Sequence, residues 1–250
     1  MALELMRRLL LVSPWLLLAA CGPESFEVVV AVDDLSIDDL EDGDFLIPER
    51  GGRQGLWYCF NDVLDGQPGD TARLCDVPEN AAPEAIELPS PQTLQVTSSG
   101  RGGGGSAILS TGEPFRGWGA GVGVSLVPQP RGYPVTNVAG FRFWARGGSE
   151  GASAVRVQFP SNQTREDRDC RGAECDPFYA DCQLTADWQQ YSVYFEVGAT
   201  GIGCEAFGSP FFEEFDGAAI TDIQYLFRTP EQGFELWLDD LELIPFAESE

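Results

Sequence analysis

The chain predicts an all-β jelly-roll sandwich of about ten strands, because short apolar alternations recur between clusters of Gly, Pro, Asn and Asp and no long window has helical periodicity. That strand count favours a jelly roll over an immunoglobulin-type sandwich. A length of 250 residues with 43% hydrophobic content is enough to bury one full core. A single folded domain is expected over residues 35–246, after a tether at 21–34.

Strands are expected at 28–32, 56–61, 93–97, 106–110, 119–126, 140–146, 154–159, 188–197, 220–228 and 234–243. Two segments read as ordered loops: 66–91, rich in proline, and 161–181, which holds two cysteines. Alternate residues of a strand face opposite sides of its sheet. Phe141, Phe143 and Ala145 therefore oppose Arg142, Trp144 and Arg146. In the same way Val155, Val157 and Phe159 oppose Arg156 and Gln158, and Tyr191, Val193 and Phe195 oppose Gln190, Ser192 and Tyr194. Ile223, Tyr225 and Phe227 oppose Gln224, Leu226 and Arg228, and Phe234, Leu236 and Leu238 oppose Glu235, Trp237 and Asp239. One side of each strand is core. The other carries Trp, Tyr, Arg and Gln, which an ordinary solvated face does not.

Planar aromatics beside Arg and Gln suit a sugar, whose C–H faces stack on rings and whose hydroxyls bond to guanidinium and amide groups. On this reading Trp144 and Trp237 stack, while Arg142, Arg156, Gln158, Gln224 and Tyr194 hydrogen-bond the ligand. The run GWGAGVGV places Gly117, Gly119, Gly121 and Gly123 at one parity, with Val122 and Val124 at the other. It lacks the spacing of a dinucleotide loop. With the valines in the core, the bare stripe is expected on the face that carries Trp144 and Trp237, as the floor of a groove that is open to a sugar or filled by a neighbouring aromatic.

Charge narrows the partners. The net charge is −25, histidine is absent, and all 15 basic residues are arginine, which argues against nucleic acid and against an anionic membrane surface. Membrane attachment is expected by another route. Arginines at 7 and 8 precede an apolar run at 9–18 that is too short to span a bilayer, so residues 1–20 read as a signal peptide. Leu18-Ala19-Ala20-Cys21 resembles the lipobox of bacterial lipoproteins, which implies cleavage before Cys21 and lipidation of that residue. Gly22 in the next position resembles outer-membrane sorting in Gram-negative bacteria. Export makes disulfides the expected state of Cys59, Cys75, Cys170, Cys175, Cys182 and Cys204. Proximity suggests Cys59 with Cys75, Cys170 with Cys175 and Cys182 with Cys204, with other pairings open. A zinc site would need two short cysteine pairs or added histidines, and the chain offers one short spacing.

Seven motifs occur in order: IDDLEDGD (37–44), GLWYCFND (55–62), FRGWGAGVG (115–123), GFRFWARG (140–147), CDPF (175–178), DWQQYSVYF (187–195) and FELWLDDLEL (234–243). Together they resemble the galactose-binding-like jelly rolls of bacterial carbohydrate-binding modules, in particular the family that binds mixed β-glucans. The resemblance implies a non-catalytic monomer with a sugar groove on its concave sheet, a β-glucan-like polysaccharide as partner, and a structural calcium ion where first and last strands meet. That ion would fall near Glu41 and Asp240, with Asp39, Asp44 and Asp239 as further ligands. The glycine of 39–43 comes one position too early for an EF-hand. One departure from the family is that 175–178 lacks the histidine of the usual Cys-x-Asp-His-Phe.

Without histidine, Ser-His and Cys-His catalysis is excluded, and six paired cysteines leave no thiolate. No Gly-x-Ser-x-Gly is present, and the 100–105 run lacks a phosphate-loop ending. A glycosidase needs only two carboxylates, which 40 acidic residues do not exclude, but the expected sugar face offers mainly Glu235 and Asp239, close together on one strand. The expected function is a glycan-binding lipoprotein of the cell envelope rather than an enzyme. The alternative is an envelope scaffold or protein-interaction lipoprotein, for which the tryptophan face would be covered.

Overall fold

The computed structural model describes residues 34–61, 86–87, 92–112, 119–128, 131–148, 151, 153–164, 175–217, 219–228 and 232–246. The expected strand at 28–32, the signal peptide, Cys21 and most of the 66–91 loop lie outside these residues. Among the described residues, twelve strands form two antiparallel sheets. They are β1 (Ser36–Asp38), β2 (Trp57–Asn61), β3 (Ile86–Glu87), β4 (Gln92–Thr97), β5 (Ala107–Gly112), β6 (Ala120–Ser125), β7 (Val138–Gly147), β8 (Ala154–Phe159), β9 (Phe178–Gln183), β10 (Gln189–Tyr194), β11 (Asp222–Phe227) and β12 (Phe234–Pro245). A seven-stranded sheet runs β10-β7-β12-β5-β4-β3, with β1 also paired to β12. A five-stranded sheet runs β2-β6-β11-β8-β9. This is the jelly-roll sandwich that the alternation predicts.

Three strands are corrections: β1 is absent from the expected set, β3 lies in the segment 66–91 that reads as a loop, and β9 is the longest of the three. Most of Phe178–Gln183 falls in the segment that reads as a loop, yet it pairs with β8 along its whole length. Phe178, Ala180 and Cys182 face the core while Tyr179, Asp181 and Gln183 face out. The two cysteines and Pro177 hide this alternation, because they read as loop punctuation.

The core is where the apolar parities of the two sheets meet. Phe143 of β7 stacks on Tyr191 of β10 and meets Tyr225 of β11 edge-on at 5.1 Å, so one ring joins both sheets. Phe141 meets Phe159 across the same gap. Each fully buried ring contributes about 2–3 kcal/mol by leaving water. Tyr225 carries a defect: its hydroxyl is buried with no hydrogen-bond partner, and burial pushes its phenol well above the ordinary range. Tyr225→Phe is therefore expected to raise stability by about 1 kcal/mol, because it removes an unsatisfied polar group and keeps the ring. A urea melt with an unchanged or lower midpoint would contradict it.

The β1 end is closed by a buried polar lock. Trp57 Nε1 donates to Asp38 Oδ2 at 2.7 Å, and the Leu40 amide donates to Oδ1 at 2.9 Å. Burial outweighs both bonds and pushes the Asp38 carboxyl up to about 7. Nearby, the fully buried Arg53 donates to the carbonyls of Asp34 and Ser36 and to the Tyr133 hydroxyl. At the far end, residues 199–208 close the gap between the sheets, bonding to β9 at Tyr179, Asp181 and Gln183 and to β10 at Ser192. The Cys182–Cys204 disulfide ties this arm to β9, as proximity suggests. Cys59 and Cys175 are also disulfide-bonded, and their expected partners Cys75 and Cys170 lie outside the described residues.

Candidate functional site

The seven residues expected to share one sugar face divide between two. Trp144 and Arg142 on β7, Trp237 on β12 and Tyr194 on β10 point outward from the seven-stranded sheet. Arg156 and Gln158 on β8 and Gln224 on β11 point outward from the five-stranded sheet, on the opposite side of the sandwich. Parity correctly separates core from non-core positions, but it does not say which sheet a strand joins.

The glycine stripe moves with them. β6 belongs to the five-stranded sheet, so Gly121 and Gly123 share its outer face with Arg156, Gln158 and Gln224, not with Trp144 and Trp237. Gly117 lies outside the described residues. The stripe is filled: a Cβ on Gly123 would fall 2.4 Å from Cζ of Tyr58, and one on Gly121 would fall 2.8 Å from Cζ of Phe60. Bare positions on β6 let the two β2 rings lie across it toward β11.

The outer face of the five-stranded sheet is consequently ordered in two rows. One runs Phe60, Gly121, Leu226, Arg156, Asp181 and the other Tyr58, Gly123, Gln224, Gln158, Tyr179, following the registers strand by strand. Arg156 donates from Nε and Nη2 to the two oxygens of Asp181, both at 2.8 Å, and its guanidinium lies 3.4 Å over the Tyr179 ring. Partial burial works against the Arg156 charge, but the Asp181 bonds outweigh it and hold the group above its ordinary value. An open cleft of about 380 Å³ lies here, lined by Ala154, Arg156, Asp181, Glu205, Leu226 and Arg228. The cleft thus combines an apolar floor, a fixed planar stack, and the exposed side chains of Glu205 and Arg228.

Sequence reasoning does not single out Tyr58, Tyr179, Asp181, Glu205, Leu226, Arg228 or Asp222 as site residues. The alternation of 178–183 is a signal that could find Tyr179 and Asp181. Glu205 follows Cys204, so the suggested Cys182–Cys204 pairing is the signal that could place it beside the 178–183 strand.

On the opposite face the tryptophans are already in contact with arginines. The Arg101 guanidinium lies 4.4 Å over Trp144, and that of Arg146 lies 4.1 Å over Trp237 and 5.6 Å over Trp188. Trp237 Nε1 donates to Glu235, and Arg142 pairs with Glu242. A sugar stacking here would compete with guanidinium groups already on the rings.

Four of the five acidic residues expected around calcium accept hydrogen bonds from within the chain. Arg101 Nε and Nη2 bond Asp240 Oδ2, and the Arg101 amide bonds Asp239 Oδ2. Asp39 and Asp44 accept from the amides of Glu41 and Leu46 in their own loop. The Glu41 carboxylate sits against Gly105, where a Cβ would meet it. Among the described residues no group of three or more acidic side chains converges on a metal position.

Compared with solved structures, the fold superimposes on part of an exo-β-agarase with a TM-score of 0.53 at 8% identity, over 86% of this chain and 25% of that one. The chain therefore spans a quarter of the agarase's length. The shared property is the β-sandwich fold. A family 11 carbohydrate-binding module from Clostridium thermocellum, solved with a β-1,3-1,4-mixed-linked tetrasaccharide, aligns with a TM-score of 0.44 and 13% identity, over 68% of this chain and 94% of the module. A family 30 carbohydrate-binding module aligns with a TM-score of 0.44 and 12% identity, over 67% and 80%. No protein-family model and no curated protein matches the sequence.

Proposed function

We propose that the chain is a non-catalytic polysaccharide-binding lipoprotein, anchored through Cys21 at the bacterial outer membrane, which holds glycan on the outer face of the five-stranded sheet. The observation that carries this reading is the cleft beside the Arg156–Tyr179 stack. It has an apolar floor at Leu226, a planar guanidinium held rigid by Asp181, a flanking amide row, and two exposed charged groups of opposite sign. A few convergent polar groups around a partly apolar surface are what orient a small polar ring. Binding without hydrolysis is favoured because both oxygens of Asp181 are engaged by Arg156, which leaves Glu205 without a second free carboxylate in the cleft. Arg156, Gln158, Gln224 and Arg228 meet the sugar on this face, and the tryptophans of the other face are structural.

Affinity electrophoresis against mixed-linkage β-glucan, xylan and agarose tests the assignment. Arg228→Ala is expected to weaken binding about tenfold, the loss of one good hydrogen-bonding group, without moving the melting temperature. Trp144→Ala should leave affinity unchanged. The reverse pattern would move the site to the seven-stranded sheet, and no binding to any glycan would favour the scaffold or protein-interaction alternative.

A further inference from the structure

Across the outer face of β2, β11 and β8 runs a line of hydrogen bonds whose direction is set from one end. A carboxylate only accepts, so the Tyr58 hydroxyl donates its single proton to Asp222 Oδ1 at 3.0 Å. Tyr58 Oη can then only accept from Gln224, whose Nε2 reaches it at 2.8 Å. This turns Gln224 Oε1 toward β8, where it accepts from Gln158 Nε2 at 2.6 Å. The two ends of a glutamine amide are nearly the same shape, and here a buried acid distinguishes them. Asp222 is 2% exposed, while Gln224 and Gln158 are half-buried at the surface. The bridge exists because Gly123 leaves room for the Tyr58 ring to cross β6.

We infer that Asp222 is a positioning residue for this face: it sets the direction of the row, so that Gln158 presents its carbonyl oxygen to the ligand and selects a sugar hydroxyl that donates. The ligand half of this inference rests on the glycan-binding reading. The direction of the row does not.

Thermal melts of Gln158→Glu, Asp222→Asn and the double variant test the row without any ligand. Gln158→Glu sets a carboxylate against Gln224 Oε1, two acceptors face to face, and is expected to lower the melting temperature by about 3 °C or more. If Gln224 turns over instead, Tyr58 is left with two acceptors and one proton. In the double variant the new amide at position 222 can donate to Tyr58, Tyr58 to Gln224 Oε1, and Gln224 Nε2 to the new carboxylate at position 158, so the whole row reverses. At least half of the Gln158→Glu loss should then be recovered, although residues 158 and 222 share no hydrogen bond. Losses that simply add in the double variant overturn the inference.

A second arm reads the ligand. Tyr58→Phe keeps the ring and cuts the row from Asp222, so affinity for mixed-linkage β-glucan or agarose oligosaccharide should fall about tenfold. Unchanged affinity overturns the ligand half. A wild-type chain that binds none of these glycans overturns the ligand half together with the glycan reading, while the melts judge the row independently.

Discussion

Gly121→Ala is expected to cost about 3 kcal/mol or more of folding stability, at the upper end of what overpacking does, because the added carbon meets backbone rather than a movable side chain. A Cβ there would lie 2.2 Å from the Tyr225 carbonyl oxygen and 2.8 Å from the Phe60 ring. Residue 121 faces Leu226 in the β6–β11 ladder, which cannot spread without opening bonds in the middle of the five-stranded sheet. Gly123→Ala makes a useful contrast. Its nearest atoms all belong to the Tyr58 side chain, at 2.4–2.9 Å, so the ring can swing away at the expense of its bonds to Asp222 and Gln224. The expected pattern is a large stability loss at 121, and a smaller loss with impaired binding at 123. Urea melts read the first, and a Gly121→Ala midpoint close to wild type would show that β6 is looser than its pairing implies.

The same two glycines show what is legible in the sequence. Their parity, opposite to Val122 and Val124, correctly assigns the valines to the core and the glycines to an outer face. Parity is a local property, and it reads the core sides of β7, β8, β10, β11 and β12 equally well. Which outer face a strand contributes to is decided by pairings between residues far apart, such as Gln158 with Gln224 and Trp144 with Gln190, and local alternation does not encode these. Merging two outer faces into one puts Trp144 and Trp237 beside Arg156 and Gln158, which the sandwich sets on opposite sides. The acidic motif poses a different problem. Residue type alone does not show that Arg101, on a glycine-rich turn, reaches Asp239 and Asp240.

Removing the Cys182–Cys204 disulfide by paired alanine substitution is expected to cost about 3 kcal/mol and to weaken glycan binding as well. The stability loss follows from the chain: the sequence separation is 22 residues, and releasing a loop of that size restores about 3 kcal/mol of conformational entropy to the unfolded state. Alanine is the right replacement because Cys182 is 1% exposed and a serine hydroxyl would be buried there. The binding loss follows from position. Glu205 lines the cleft, and its amide is bonded to the Asp181 carbonyl at 2.8 Å directly beside the cross-link. Freed of the disulfide, the 199–208 arm retains its backbone bonds to β9 and β10, so the sandwich should still fold while the Glu205 wall loosens. Calorimetry and affinity electrophoresis on one preparation separate the effects. Stability that falls while affinity holds would remove Glu205 from the binding face and leave the arm as a clasp between the sheets.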